Sequence, residues 1–269
     1  MQKSLFEIPQ LNEAHQPPLQ QCSVSRSTFY QGDCLVEMSK IADKSVDMIL
    51  CDLPYGYKRI GWDNIIPFDK MWKQYKRIIK DNAAIVLTAS QPFTSALVMS
   101  NIEMFKHEWV WDKHIPRGFQ VARYRPMRKH EDILVFGKGK INYYPLMELR
   151  DKAVTVKNYS KGNSIIELNN TGTDNISRTY THKSPDTIIK ECWEANAGKL
   201  HTSQKPVALM EYLIKTYTNE GETVLDNCMG SGSTGVACKN TNRSFIGIEK
   251  DENYFKIAEQ RINARTLFS

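Results

Sequence analysis

No C-x-x-C pair occurs among the six cysteines, Cys22, Cys34, Cys51, Cys192, Cys228 and Cys238. The chain therefore offers neither a zinc ribbon nor a disulfide framework, and a reducing, cytoplasmic compartment is the expected home. No apolar run reaches the ~20 residues that cross a bilayer. The N-terminus also lacks the basic-then-apolar layout of a signal peptide, so no membrane partner is expected. Neither sign of charge dominates: 36 Lys and Arg face 30 Asp and Glu, a formal charge of +6. Such an excess suits a polyanion without identifying one. At 269 residues the chain is long enough for one large α/β domain and short for two.

Residues 1–27 are rich in Gln, Ser and Pro, show no sustained period, and read as an N-terminal arm ahead of one domain over 28–269. Thr28 to Tyr30 predicts a short strand, and Leu35 to Ile41 a helix for which Asp33 is a ready cap. Val46 to Cys51 is a strand-like apolar run. A loop with Trp62 follows over Tyr57 to Phe68. Met71, Trp72, Tyr75, Ile78 and Ile79 then fall at helical spacing within Asp69 to Lys80, a core-packing pattern. Strands are predicted at Ala83–Thr88 and from Trp109, with a helix between at Pro92–Met99; His130 reads as structural. Further on come a helix over Val207–Tyr217, with Pro206 in its first turn, and strands at Thr223–Asp226 and Ser244–Ile248. Helices follow these two strands at Val236–Asn240 and Asn253–Asn263. This alternation predicts a Rossmann-like α/β fold with a mixed, mostly parallel sheet flanked by helices.

The stretch with the most chemistry is Asp52-Leu53-Pro54-Tyr55-Gly56, at a strand end where open α/β sheets place ligands. Asp52 brings a carboxylate and Leu53 a carbonyl, which Pro54 holds away from helical geometry. An exocyclic amino group has two N–H donors to match these acceptors, and Tyr55 offers a ring on which an extruded base stacks. From Lys113 to Lys129 the chain turns basic and aromatic: Arg117, Arg123, Tyr124, Arg125, Arg128 and Lys129 make this predicted loop the first candidate for DNA contact. Asn227 to Gly235 is a small-residue turn onto a helix, whose glycines admit close approach of a ligand. Glu249, at the next strand end, is placed to accept from ribose hydroxyls.

Asp52-Leu53-Pro54-Tyr55 resembles the (Asp/Asn/Ser)-Pro-Pro-Tyr tetrapeptide of the amino-group DNA methyltransferases, with Leu53 in place of the first proline. Asp226 to Thr234 is similar to that family's Asp-Pro-Phe-X-Gly-Ser-Gly-Thr-Thr cofactor motif, with Asn227 and Cys228 replacing Pro and Phe. His201 to Pro206 is similar to its His-Pro-Thr-Gln-Lys-Pro element, with Thr202 for proline. The order, tetrapeptide first and glycines last, is that of the permuted β group. The resemblance implies S-adenosylmethionine as cofactor, held by Asp33 and Cys34 near its adenine, by Asp52, Lys205 and Asp226, by Gly230, Ser231, Gly232, Ser233 and Thr234, and by Glu249. It assigns Lys205 to the cofactor's carboxylate. It also implies a seven-stranded sheet with one antiparallel strand, double-stranded DNA as partner, and a target-recognition insertion at about 150–200. A homodimer and a cognate restriction endonuclease are the further partners it suggests. Aspartate at the head of the tetrapeptide points to adenine N6, with cytosine N4 as the alternative. No metal is required, because a sulfonium is already an activated leaving group.

Gly230 to Gly235 also fits G-x-G-x-x-G, with Glu249 downstream as in nicotinamide-dependent oxidoreductases. That reading leaves Asp52 to Tyr55 and Gln204-Lys205-Pro206 without a purpose, and its first glycine lies too far past the strand. A DNA-binding protein without catalysis is the third reading, and it does not require Asp52 or the glycines. The methyltransferase reading accounts for all three motifs.

Overall fold

The computed structural model of the chain describes residues 26–56, 64–156, 178–190 and 204–264. Its first half runs β1 (Ser27–Gln31), α1 (Cys34–Met38), β2 (Val46–Asp52), α2 (Phe68–Ile78), β3 (Ile79–Ala89), α3 (Phe93–Met99), β4 (Phe105–Arg117) and β5 (Arg128–Phe136). The second half runs β6 (Glu148–Val156), β7 (Arg178–Lys183), β8 (Ile188–Ile189), α4 (Val207–Tyr217), β9 (Thr223–Asp226), α5 (Ser233–Asn240), β10 (Ser244–Glu249) and α6 (Glu252–Asn263). Eight strands form one sheet in the order β1-β10-β9-β2-β3-β5-β4-β8, and β6 pairs with β7 apart from it.

Both faces of the sheet are covered, which is why β2 reads as an apolar run interrupted only by Asp47 before it ends at Asp52. Successive side chains still alternate. Ile49 and Cys51 face Met38, Met71, Trp72, Tyr75 and Ile78 of α1 and α2. Met48 and Leu50 face the other way, onto Leu209, Met210 and Leu213 of α4 and onto α5 and α6. Helix α2 buries the stripe that its spacing predicts, but it ends before Ile79. There the backbone turns extended and pairs with Val46, so helix passes into β3 without a loop.

The expected single antiparallel strand is β5, between β3 and β4. The sheet has eight strands instead of seven because the two-residue β8 adds to the edge of β4. A larger difference lies in the basic stretch. Residues 113–129 are not one loop: β4 runs on to Arg117, β5 resumes at Arg128, and Arg117 pairs with Arg128. Only residues 118–127 connect them, with a 3-10 turn at Phe119–Val121. Backbone pairing and the cross-strand ion pairs Lys113–Glu131 at 2.7 Å and Lys129–Asp112 at 3.3 Å sustain a ribbon that has no apolar period to announce it. The polar 150–200 interval likewise holds most of β6 and all of β7 and β8. Its residues 157–177 and 191–203 lie outside the described residues, as do 1–25 of the arm, Trp62 and His201 to Ser203.

Strands β1, β10, β9, β2 and β3 run parallel, so their C-terminal ends share one edge. Asp52 ends β2, Asp226 ends β9 and Glu249 ends β10. From β9 the chain proceeds to β10 on one side, and from β2 to β3 on the other. The boundary between β9 and β2 is therefore a topological switch point, where such sheets open a crevice. Among the described residues no helix is long and apolar enough to cross a membrane.

Candidate active site

The crevice has two halves. On the β2 side, Asp52 Oδ2 lies 2.7 Å from Lys205 Nζ. Oδ1 accepts a hydrogen bond from Thr88 at the end of β3, and the Tyr55 hydroxyl is 3.0 Å away. That hydroxyl is also 3.1 Å from Thr88 Oγ1, so its one proton serves either oxygen. An ionised carboxylate has about four acceptor sites. Three donors leave at least one of them for a ligand's N–H. The Tyr55 ring stacks on Phe93 with centroids 5.2 Å apart, so α3 covers part of the plate expected for the base. Burial, and then the Asp52 charge, push the Tyr55 phenol well above its ordinary pKa, which keeps it a neutral donor. The Leu53 side chain is buried in the core, and Pro54 is half-buried beside it.

Lys205 lies on the β2 side of the crevice. Its buried ammonium sits on Asp52 and, 3.2 Å away, on Glu131 Oε2 of β5, with the Tyr55 ring centroid at 5.8 Å. It is thus already held by two protein carboxylates. Burial alone would depress its pKa, but the facing Asp52, Tyr55 and Glu131 outweigh this and raise it well above the usual lysine range. Burial alone would likewise raise Glu131, yet Lys205 and Lys113 hold its carboxyl below the ordinary value. Both groups are charged.

On the β9–β10 side, the turn after Asp226 forms a cradle. Gly230 and Gly232 have positive φ, 51° and 81°, which other residues rarely adopt. A Cβ on Gly232 would press on Ala258 of α6, whereas one on Gly230 would meet nothing within 4 Å: the cradle is closed behind and open in front. Gly230 N donates to Glu249 Oε2 at 2.8 Å. Gly32 N donates to Glu249 O, bringing Asp33 beside Glu249. Asp33 caps α1 through Leu35 N at 3.0 Å while its side chain stays half-exposed. Two accessible carboxylates beside an open glycine turn suit a ribose diol and an adenine amino group, so the residues present fit a nucleoside cofactor.

Asp226 is buried behind the turn. It accepts from Thr234 Oγ1 at 2.7 Å and Cys228 N at 3.1 Å, and so shapes the turn. Burial pushes its carboxyl up to about 6 against those hydrogen bonds. Ser231, Ser233 and Thr234 are also buried, with Arg261 donating to the Ser231 carbonyl at 3.0 Å. Cys34 turns into the core, where a hydrogen bond with the Cys228 thiol and burial raise its pKa strongly. Cys51 and Asn227 complete this packed patch, and Asn227 accepts from the Tyr75 hydroxyl at 2.6 Å.

The DNA-contact candidates divide. Arg123, Tyr124 and Arg125 stand exposed at the tip of the β4–β5 ribbon, with Phe119 81% and Tyr124 84% exposed. Arg128 instead donates to Ser90 and to the Gln91 carbonyl, and Lys129 pairs with Asp112. Arg117 lies at the ribbon's far end. Thr88 and Glu131 were not expected in the site. Thr88 carried a weak signal as the polar end of a buried strand; Glu131 carried none, because only the β5 register turns it toward Lys205.

Residues 46–260 match the profile of a family described as DNA methylase, the N6/N4 methyltransferases. The chain is 30% identical over 253 residues to the type II methyltransferase M2.LlaDCHI of Lactococcus lactis subsp. cremoris, covering 84% of this chain and 85% of that one. It is 26% identical over 243 residues to M.HpaI of Haemophilus parainfluenzae, covering 84% and 71%. Among solved structures, the M1.HpyAVI–SAM complex aligns with a TM-score of 0.59 at 26% identity, over 87% of this chain and 99% of that chain.

Proposed function

Because the chain belongs to the DNA methylase family of N6 and N4 methyltransferases, we propose that it methylates the N6 amino group of an adenine turned out of duplex DNA. The observation that carries this reading is the Asp52 carboxylate at the switch point, oriented by Thr88, Tyr55 and Lys205 and with an acceptor site to spare. Aspartate at the head of the tetrapeptide, where cytosine-N4 enzymes more often have serine, supports adenine. Membership in the family sets aside the nicotinamide reading of the glycine turn.

S-adenosylmethionine, when bound, supplies a methyl group on a sulfonium that leaves as a neutral thioether while a nitrogen lone pair takes the carbon. Asp33, Glu249 and the open turn at Gly230 are the groups we assign to hold it. Asp226 and the buried Ser231, Ser233 and Thr234 keep that turn in shape. Asp52 accepts one N6 proton and the Leu53 carbonyl the other, aiming the nitrogen lone pair away from both. Positioning of this kind supplies much of a rate enhancement. Asp52 then holds the proton that the methylated nitrogen sheds. Tyr55, its ring stacked on Phe93, lines the base pocket, and unstacking the base costs a few kcal/mol. The exposed Arg123, Tyr124, Arg125 and Phe119 at the ribbon tip are suited to grip the duplex near the emptied position. We extend the type II context of the named relatives to this chain: action in the cytoplasm, a homodimer, and a companion endonuclease for the same site.

The test is incubation with labelled S-adenosylmethionine and unmethylated DNA, nuclease digestion, and mass spectrometry of the nucleosides. N6-methyldeoxyadenosine is the expected product. N4-methyldeoxycytidine overturns the choice of base, and no methylated nucleoside overturns the activity.

A further inference from the structure

Four charged groups line up across β2, α4's entry, β5 and β4. Asp52 faces Lys205 at 2.7 Å, Lys205 faces Glu131 at 3.2 Å, and Glu131 faces Lys113 at 2.7 Å. Two carboxylates and two ammonium groups sum to zero. If Glu131 were removed, Asp52, Lys205 and Lys113 would sum to +1 at a place that must admit a sulfonium and let a nitrogen become cationic. Like charges inside a protein repel far more strongly than in water.

A structural ion pair would be expected to complete its hydrogen bonds. Glu131 is well bonded on one oxygen only: Lys113 donates to Oε1 at 2.7 Å, whereas buried Oε2 faces only the Lys205 ammonium, 3.2 Å away and poorly aligned. The groups around Lys205 are Asp52 and Tyr55 from the β2 end and Glu131 from β5.

We propose that Glu131 is a positioning residue whose charge cancels Lys205, so that Lys205 orients Asp52 without making the transfer site cationic. This rests on the methyltransferase reading. It predicts discrimination between the cationic S-adenosylmethionine and the neutral S-adenosylhomocysteine, which differ by one charge at sulfur. A residue that merely held the fold together would affect both ligands alike.

The experiment is calorimetric titration of the full chain with each ligand separately, for wild type, Glu131→Gln and the double variant Glu131→Gln/Lys205→Met. Glu131→Gln should weaken S-adenosylmethionine about fivefold or more while changing S-adenosylhomocysteine less than about twofold. The double variant returns the site to its original net charge and should restore the wild-type ratio of affinities. Equal weakening of both ligands, or no change in either, overturns the proposal. If Glu131→Gln alone does not fold, the double variant decides: a ratio that falls as S-adenosylmethionine weakens overturns it, and an unchanged ratio upholds it. Wild-type protein that binds neither ligand overturns the methyltransferase reading and this inference with it.

Discussion

Asp52 receives Thr88 and Tyr55 on one oxygen and Lys205 on the other, so its side chain has little freedom before any substrate arrives. Such preorganisation is expected to make the residue dear to lose. Asp52→Ala should lower single-turnover methyl transfer by about a hundredfold or more, while S-adenosylhomocysteine and DNA still bind. Radiolabel incorporation, together with calorimetry and gel shift, checks this; a variant with near wild-type rates would remove Asp52 from the mechanism. Asp226 makes a different kind of prediction. Its carboxyl titrates at about 6 in the fold against a reference value of 3.8, because burial disfavours the charge. Between those values the folded chain holds a proton that the unfolded chain has released. The stability this contributes is fully present below pH 3.8 and is lost as pH rises through about 6. The loss is on the order of 3 kcal/mol. The difference in unfolding free energy between wild type and Asp226→Asn, measured by denaturant titration, should therefore move against wild type from pH 4 to pH 7.

At the scale of elements, the β4–β5 ribbon extends past the sheet and ends in residues 118–127, exposed and carrying Arg123 and Arg125. The register slips between Asp112↔His130 and Arg117↔Arg128, but Arg117 and Arg128 face each other at the last pair, so a two-residue Asn-Gly turn can close the ribbon there. Replacing 118–127 in this way should leave the melting temperature and S-adenosylhomocysteine affinity near wild type. DNA affinity should fall by about tenfold or more, and the slope of log K against log salt should shrink by about 2, one for each arginine removed. Unchanged DNA binding and salt slope would place the duplex elsewhere. Along the sequence the basic stretch reads as a loop. Polar, doubly exposed strands leave no alternation to detect, and only their pairing partners reveal them.

Across the whole molecule, the permuted chain order is reconciled by one parallel contact, β2 beside β9, at Met48↔Val224 and Ile49↔Leu225. It joins the half that carries Asp52 to the half that carries the glycine turn, so a ligand in the crevice ties both together. Saturating cofactor at about a hundred times its Kd should stabilise the fold by about 2.7 kcal/mol. For a chain of this size that is a rise of several degrees in Tm, about 2–4 °C per kcal/mol. Thermal unfolding with and without S-adenosylhomocysteine measures it, and Glu249→Ala should abolish most of the shift. A full shift in that variant would dismiss Glu249 as a cofactor ligand.

The α/β alternation, the buried stripe of α2, the helix start at Pro206 and the tetrapeptide at the end of β2 were all legible along the chain. Each depends on neighbours within a turn or on the period of a strand, which is local physics. The glycine turn was legible for the same reason, since positive φ at Gly230 and Gly232 is a property of single residues. What Lys205, Glu131 and Asp226 do was decided only in three dimensions. Lys205 is 153 positions from Asp52, and Glu131 meets it through the register of an antiparallel strand. Whether a charged side chain faces a ligand, another charge or the interior depends on which strands lie side by side, and no local pattern encodes that pairing.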